Sequence, residues 1–177
     1  MGDGVIQYKN GTPVQSYNEK NAFKETAGGY GSGYCYIDGL AFDKNGNLWM
    51  TSSEVNHAVL VLDKAGAWHR LDIEQLRGVY TINDILITST NDKWIYVPRN
   101  TPKLVMIPNS ESLDEVSSYE FTTLIDTDGK ELTPSNYTCV AEDKDGYIWV
   151  GTNRGAVYFT KPRISSTEDK AATRCTR

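Results

Sequence analysis

The residues in this chain that are of the right type for chemistry are two histidines, three cysteines, a pair of adjacent carboxylates, several Asp-Gly runs and a glycine-tyrosine segment. Asp43-Lys44-Asn45-Gly46-Asn47, Asp126-Thr127-Asp128-Gly129 and Asp143-Lys144-Asp145-Gly146 offer oxygens of the kind calcium takes. They lack the spacing and terminal Glu of a helix-loop-helix calcium site, whereas Asp, Asn and Gly are what tight reversals require. His57 is placed in a turn and His69 on an outer strand of the same unit, too far apart to share a ligand or pass a proton. Glu142 and Asp143 are adjacent on a strand and point to opposite faces, which makes a poor acid–base couple. The nucleophile-elbow, P-loop and H-E-x-x-H patterns are not found. Cys35, Cys139 and Cys175 have no metal-binding spacing, so free thiols are expected, with Cys139 buried on an inner strand; a Cys35–Cys139 bridge stays open for an oxidising compartment. No catalytic residue, metal ligand or cofactor is therefore expected. The run A-G-G-Y-G-S-G-Y-C-Y over residues 27–36 is no dinucleotide fingerprint, because no amphipathic helix follows; Tyr30, Tyr34 and Tyr36 either pack locally or serve as stacking platforms for a ligand.

The elements that must carry these residues are defined by a repeat. Residues 137–159, Y-T-C-V-A-E-D-K-D-G-Y-I-W-V-G-T-N-R-G-A-V-Y-F, have a clear second copy in residues 39–51, G-L-A-F-D-K-N-G-N-L-W-M-T. Aligning Asp43 with Asp143 places Gly46 on Gly146, Leu48 on Ile148 and Trp49 on Trp149. Residues 82–97 are a weaker third copy that keeps the apolar run, the polar turn and Trp94. The three tryptophans recur at intervals of roughly 45 to 55 residues, the span of one four-stranded propeller blade. Within the two clear copies an inner strand reverses at Asp-x-x-Gly, where Gly supplies positive φ, and returns as a strand rich in β-branched and aromatic residues; the third copy has Asp-Lys where the others have Gly-x. A Trp at one place in every blade fills the wedge between neighbouring sheets.

The expected fold is all-β: a single domain over residues 1–177 that forms a partial β-propeller of about three four-stranded blades plus a leading hairpin, a fragment of a larger propeller, since closed rings typically have four to eight blades. Residues 4–17, with Asn10-Gly11 at the tip, read as the end of a preceding blade. Blades are placed at residues 37–73 and 82–125, and an incomplete blade at 138–160. In the second, the outer strand is set at residues 119–125, and residues 109–117 are a polar insertion with a short helix in view. Residues 161–177 form a polar tail that could complete the third blade. An open arc exposes a strand edge and a sheet face, so self-association or contact with remaining blades is expected.

Turns between second and third strands share one face of the disc with the connections between blades. That groups Glu54, Asn56 and His57 with Arg99, Asn100, Asn153, Arg154 and the three tyrosines as candidate ligand-binding residues. Polar groups beside aromatic faces suit an oligosaccharide or peptide. A net charge of −5 argues against a nucleic-acid groove, and no apolar run is long enough to span a membrane.

The stretch A-E-D-K-D-G-Y-I-W-V-G-T-N-R-G-A-V-Y-F resembles the two-component regulator propeller repeat, strongly over residues 140–159, well over 40–51 and weakly over 82–97. The resemblance implies the extracytoplasmic sensor region of bacterial hybrid histidine kinases, or the related propeller of the type IX secretion system. It further implies a periplasmic or cell-surface location and, in the sensor family, a carbohydrate ligand and a dimeric domain. The function expected is a non-catalytic ligand-binding or interaction module of a sensor. A structural protein-interaction propeller of a surface secretion system is the alternative, and a propeller enzyme comes third.

Overall fold

The computed structural model describes residues 4–23, 33–126, 128–159 and, for the backbone alone, 175–176. Three four-stranded antiparallel sheets follow one another along the chain. The first blade is β3 (Ile37–Phe42), β4 (Leu48–Ser52), β5 (Val59–Leu62) and β6 (Trp68–Leu71). Next come β7 (Ile85–Ile87), β8 (Lys93–Val97), β9 (Lys103–Ile107) and β10 (Tyr119–Phe121). The third is β13 (Tyr137–Glu142), β14 (Ile148–Thr152), β15 (Gly155–Phe159) and β16 (Cys175–Thr176), so a short segment of the polar tail supplies its outer strand. A leading hairpin, β1 (Val5–Lys9) and β2 (Thr12–Tyr17), stands before the first blade as a two-stranded sheet. The fold is thus an all-β partial propeller without a closed ring.

Some boundaries differ from expectation. The outer strand of blade 2 ends at Phe121; beyond the bend at Thr122 and Thr123, β11 (Leu124–Ile125) pairs with β12 (Glu131–Leu132) in a hairpin of its own, closed by the reversal at Asp126. Residues 109–117 form no helix; Ser110 and Ser112 hydroxyls accept backbone N–H bonds and hold bends instead. The only helical turn among the described residues is a 3-10 turn, Glu74–Leu76. Cys139 is exposed rather than buried, because it stands where Gly39 does in blade 1, on the face turned to a following blade, and among the described residues no sheet follows blade 3; Cys35 is the buried one.

Registers place the repeats on one another. Trp49 lies opposite Ala41 and Val61, Trp94 opposite Leu86 and Met106, and Trp149 opposite Ala141 and Tyr158. Trp49 and Trp94 each face the following blade. Trp49 belongs to the apolar cluster shared with Ile85, Ile95, Val97, Val105 and Ile107 of blade 2. Trp94 lies in the cluster shared with Tyr137, Ile148, Val150, Val157 and Phe159 of blade 3, its ring 5.8 Å from Phe121 and 5.2 Å from Phe159. Both are buried, at 1% and 0% exposure, whereas Trp149 is 41% exposed because among the described residues no sheet follows blade 3. One matched position thus has two environments, set by whether a neighbour exists.

Polar bonds repeat the same stacking near the axis. The Thr51 hydroxyl donates to the Asn83 carbonyl at 3.0 Å, and the Tyr96 hydroxyl, two residues beyond its own tryptophan as Thr51 is, donates to the Thr138 carbonyl at 3.1 Å. Gly39 is required where blades 1 and 2 meet: a Cβ there would lie 2.8 Å from the Ile85 nitrogen and 3.0 Å from Thr51 Oγ1.

Candidate interaction surfaces

The Asp-Gly runs are turn devices. Asp43 Oδ1 accepts N–H bonds from Asn45 and Asn47, and its Oδ2 accepts the Asn47 amide and, at 2.9 Å, the Trp49 indole N–H. Burial pushes the Asp43 carboxyl up, but these donors outweigh it and hold the group below its ordinary value. Asp143 repeats the arrangement, with the Trp149 indole donating at 2.7 Å and lowering its pKa. Asp126 caps its own reversal through N–H bonds from Asp128 and Lys130. A further copy lies within blade 1: Asp63 accepts N–H bonds from Ala65 and Ala67, and His69, six residues on where the other copies have Trp, sits with Nε2 3.2 Å from Asp63 Oδ2. That carboxylate, with Asp114 3.2 Å from Nδ1, raises the His69 pKa. The shared D-K-x-G-x spelling of residues 43–47, 63–67 and 143–147 was the available signal for this copy. In blade 2 Thr88 holds the Asp position, accepting the Asp92 N–H at 3.0 Å, and Asn91 replaces Gly with φ 68°. Threonine is too short to reach the indole, so Trp94 Nε1 is buried without an acceptor.

The residues assigned to a ligand face sit in the expected loops. Tyr34 and Tyr36 lie together, ring centroids 6.0 Å apart, with Tyr36 40% exposed; Tyr30 lies outside the described residues. The Tyr36 carbonyl accepts from Ser53 N–H, which sets the tyrosine segment beside the β4–β5 turn. In that turn Glu54 has φ 63° and donates its N–H to the Val79 carbonyl; Asn56 is exposed and His57 half-buried. Arg99 and Asn100 are exposed at the β8–β9 turn, where Asn100 takes φ 71°. Asn153 is occupied in holding its loop: its Oδ1 accepts N–H bonds from Ser135 and Asn136, and its Nδ2 donates to Ser135 Oγ. Arg154 beside it is exposed. The bonds described for Glu54, Tyr36 and Asn153 run to the segment beside each loop, and none joins the loop of one blade to the loop of the next.

Two cavities lie elsewhere, and none of these residues lines either. A groove of about 560 Å³ between the leading hairpin and blade 1 is lined by Tyr17, Leu40, Phe42, Leu48, Leu62 and Trp68, among others. A smaller one of about 120 Å³, lined by Asp84, Leu86, Tyr96 and Cys139, lies where the inner strands of blades 2 and 3 meet. Near the axis, Asp38 accepts the Ser53 hydroxyl at 2.6 Å; burial raises its pKa to about 6 against the lowering effect of the Ser53 bonds. Neither this carboxylate nor the groove was singled out in the sequence, because both depend on which face of β3 is covered.

This geometry defines a class: stacked four-stranded blades with a tryptophan in each wedge, a partial β-propeller. Residues 131–154 match the sequence profile of the two component regulator propeller family, as the repeat spelling led one to expect. A search of curated protein sequences gave no match. Among solved structures the chain is similar to PorZ, a surface component of the type-IX secretion system of Porphyromonas gingivalis, at TM-score 0.82 and 18% identity over 99% of this chain and 24% of that one. It is also similar to the extracellular domain of the hybrid two component system BT3049 from B. thetaiotaomicron, at TM-score 0.58 and 18% identity over 88% of this chain and 18% of that one. A catalytically inactive virginiamycin B lyase from Staphylococcus aureus shares the fold at TM-score 0.52 and 17% identity, over 73% of this chain and 40% of that one. The chain spans about a quarter or less of the first two structures.

Proposed function

We propose that this chain is a non-catalytic interaction module of a bacterial protein working outside the cytoplasm, its blades presenting loops on one face of a rigid arc. The observation that carries the reading is the use of the repeat's reactive side chains: Asp43, Asp63, Asp126 and Asp143 are engaged by turn N–H groups, and three of them by the ring six residues on. The two component regulator propeller match over residues 131–154 supports a sensor setting. In that setting the ligand is a carbohydrate fragment held by Tyr34, Tyr36, Arg99, Asn100 and Arg154, with hydroxyls bonded by the arginines and the sugar face stacked on tyrosine. A second reading, in which the face meets another protein of a surface secretion machine, is favoured by the overlap of 99% of the chain with a surface component of such a system.

Thermal shift against a panel of glycan fragments separates the two, because a ligand that binds only the native state raises the melting temperature. A saturable rise with one glycan, abolished by Arg99→Ala with Arg154→Ala, is the result expected for the sensor setting. No shift with any glycan, together with cross-linking of the loop face to one surface protein, decides for the second reading.

A further inference from the structure

The second Asp-x-x-Gly turn of blade 1 differs from its copies in one group: the ring that returns to Asp63 is the imidazole of His69, where Asp43 and Asp143 meet an indole. An indole N–H always donates, whereas a neutral imidazole has one proton to divide between two nitrogens. The second nitrogen is engaged as well. His69 Nδ1 stands 3.2 Å from Oδ1 of Asp114, in the segment between β9 and β10, while Nε2 stands 3.2 Å from Asp63 Oδ2. Ionised carboxylates only accept, so the two bonds exist together only while the ring carries two protons.

That second bond holds a strap laid across two blades. Residues 110–117 run between an anchor at Asn109, whose N–H donates to Asp92 Oδ1 at 2.7 Å, and one at Ser118, whose hydroxyl donates to Gln75 Oε1 at 2.9 Å. Between the anchors the Ser110 and Ser112 hydroxyls accept from within the segment, and among the described residues the Asp114 side chain alone bonds to another element. Leu113 and Val116, on either side of it, pack against the apolar cluster shared by blades 1 and 2. Asp63 and Asp114 are the charged groups that face the ring. Arg70 reaches the Ala22 carbonyl from the opposite face of β6, and Lys64, Glu111 and Glu115 are exposed.

We propose that His69 is a pH-sensitive clasp: doubly protonated, it ties residues 110–117 to blade 1, and on losing a proton it releases Asp114, so that the segment lifts from the cluster beneath Leu113 and Val116. Asp114 is the partner that leaves. Its side chain is 85% exposed and turns readily into water, whereas that of Asp63 is 22% exposed and is held by the Ala67 and Ala65 N–H groups, which keep its carboxyl below the ordinary value. The two carboxylates, Asp63 foremost, raise the His69 pKa above its ordinary 6.5. The tie is therefore complete below 6.5 and is lost as pH rises through the raised value.

The test follows the His69 ring protons and the methyl groups of Leu113 and Val116 by NMR on the purified chain. Methyl cross-peaks to the apolar cluster are expected at about pH 5.5 and lost by about pH 9, with their midpoint at the His69 titration. Asp114→Asn supplies an amide that accepts from a protonated nitrogen and donates to a bare one, so it should keep the cross-peaks at both pH values. Asp114→Ala should lose them at both and lower the His69 pKa; unchanged cross-peaks within β3, β4 and β5 show that each variant is folded. The proposal is overturned if the wild-type cross-peaks persist at about pH 9, or if Asp114→Asn loses them there as the wild type does. Retention of the cross-peaks by Asp114→Ala at either pH, or an unmoved His69 pKa in that variant, overturns it equally.

Discussion

At the level of single residues, the bond between an aspartate and a ring six positions later distinguishes one copy of the repeat from another. Asp43 and Trp49 are both buried, at 7% and 1% exposure, while Trp149 in the matching pair is open to water. Asp43→Ala should accordingly cost ~2–4 kcal/mol by leaving several donors unpaired, and Asp143→Ala should be the milder of the two, as read by urea unfolding. Thr88→Asp should do the reverse: a carboxylate reaching the orphaned Trp94 Nε1 is expected to add ~1 kcal/mol, whereas Thr88→Val, which takes the acceptor from the buried Asp92 N–H, is expected to destabilise. Asp38 adds a pH dependence with a definite sign. Its folded-state pKa of about 6 exceeds the ordinary 3.8, so the native state holds the extra proton between those values, and stability falls as pH rises through the window. Asp38→Asn, which gives blade 1 the residue blade 2 has at Asn83, should raise the melting temperature at pH 7 and leave it nearly unchanged at pH 3.5, flattening the profile between.

Among the elements, the strands of the strong copies could be read from sequence because turn chemistry and alternation agree there: Asp-x-x-Gly reverses the chain and Leu/Ile-Trp returns it. Blade 2 reads weakly for a visible reason, since Thr88 and Asn91 carry out the same reversal with different side chains. Solvation could not be read. Cys139 lies on an inner strand, which favours burial on pattern alone, yet it projects from the face toward a following blade, and among the described residues none follows. The tip loops were placed correctly as loops, but spelling could not reveal that Asn153 is consumed by its own turn while Arg99 projects outward. Where two inner strands meet, glycine sets the approach. Gly39→Ala should cost ~1–3 kcal/mol in urea unfolding through contact with the backbone at Ile85 and Asp84 and with Thr51 Oγ1, and Thr51→Ser, which keeps that oxygen, should recover none of the loss.

Across the whole molecule, the main strand contacts among the described residues run within a blade or to the adjacent one, so stability is a chain of local terms. Phe159→Ala removes a ring that packs on both Trp94 and Phe121 and should cost ~3–5 kcal/mol. The loss should stay local: hydrogen exchange is expected to quicken across β13, β14 and β15 and to remain at the wild-type rate across β3, β4 and β5. The two wedges also differ in chemistry, an ammonium over Trp49 in the first and stacked aromatics around Trp94 in the second. A sheet swapped into the wrong junction would bring Lys93 against Phe121, or strip that cation of the indole it rests on. Mismatched keys of this sort let nearly identical modules assemble in a single sequence order, and they protect a repetitive polypeptide from shuffling its own parts.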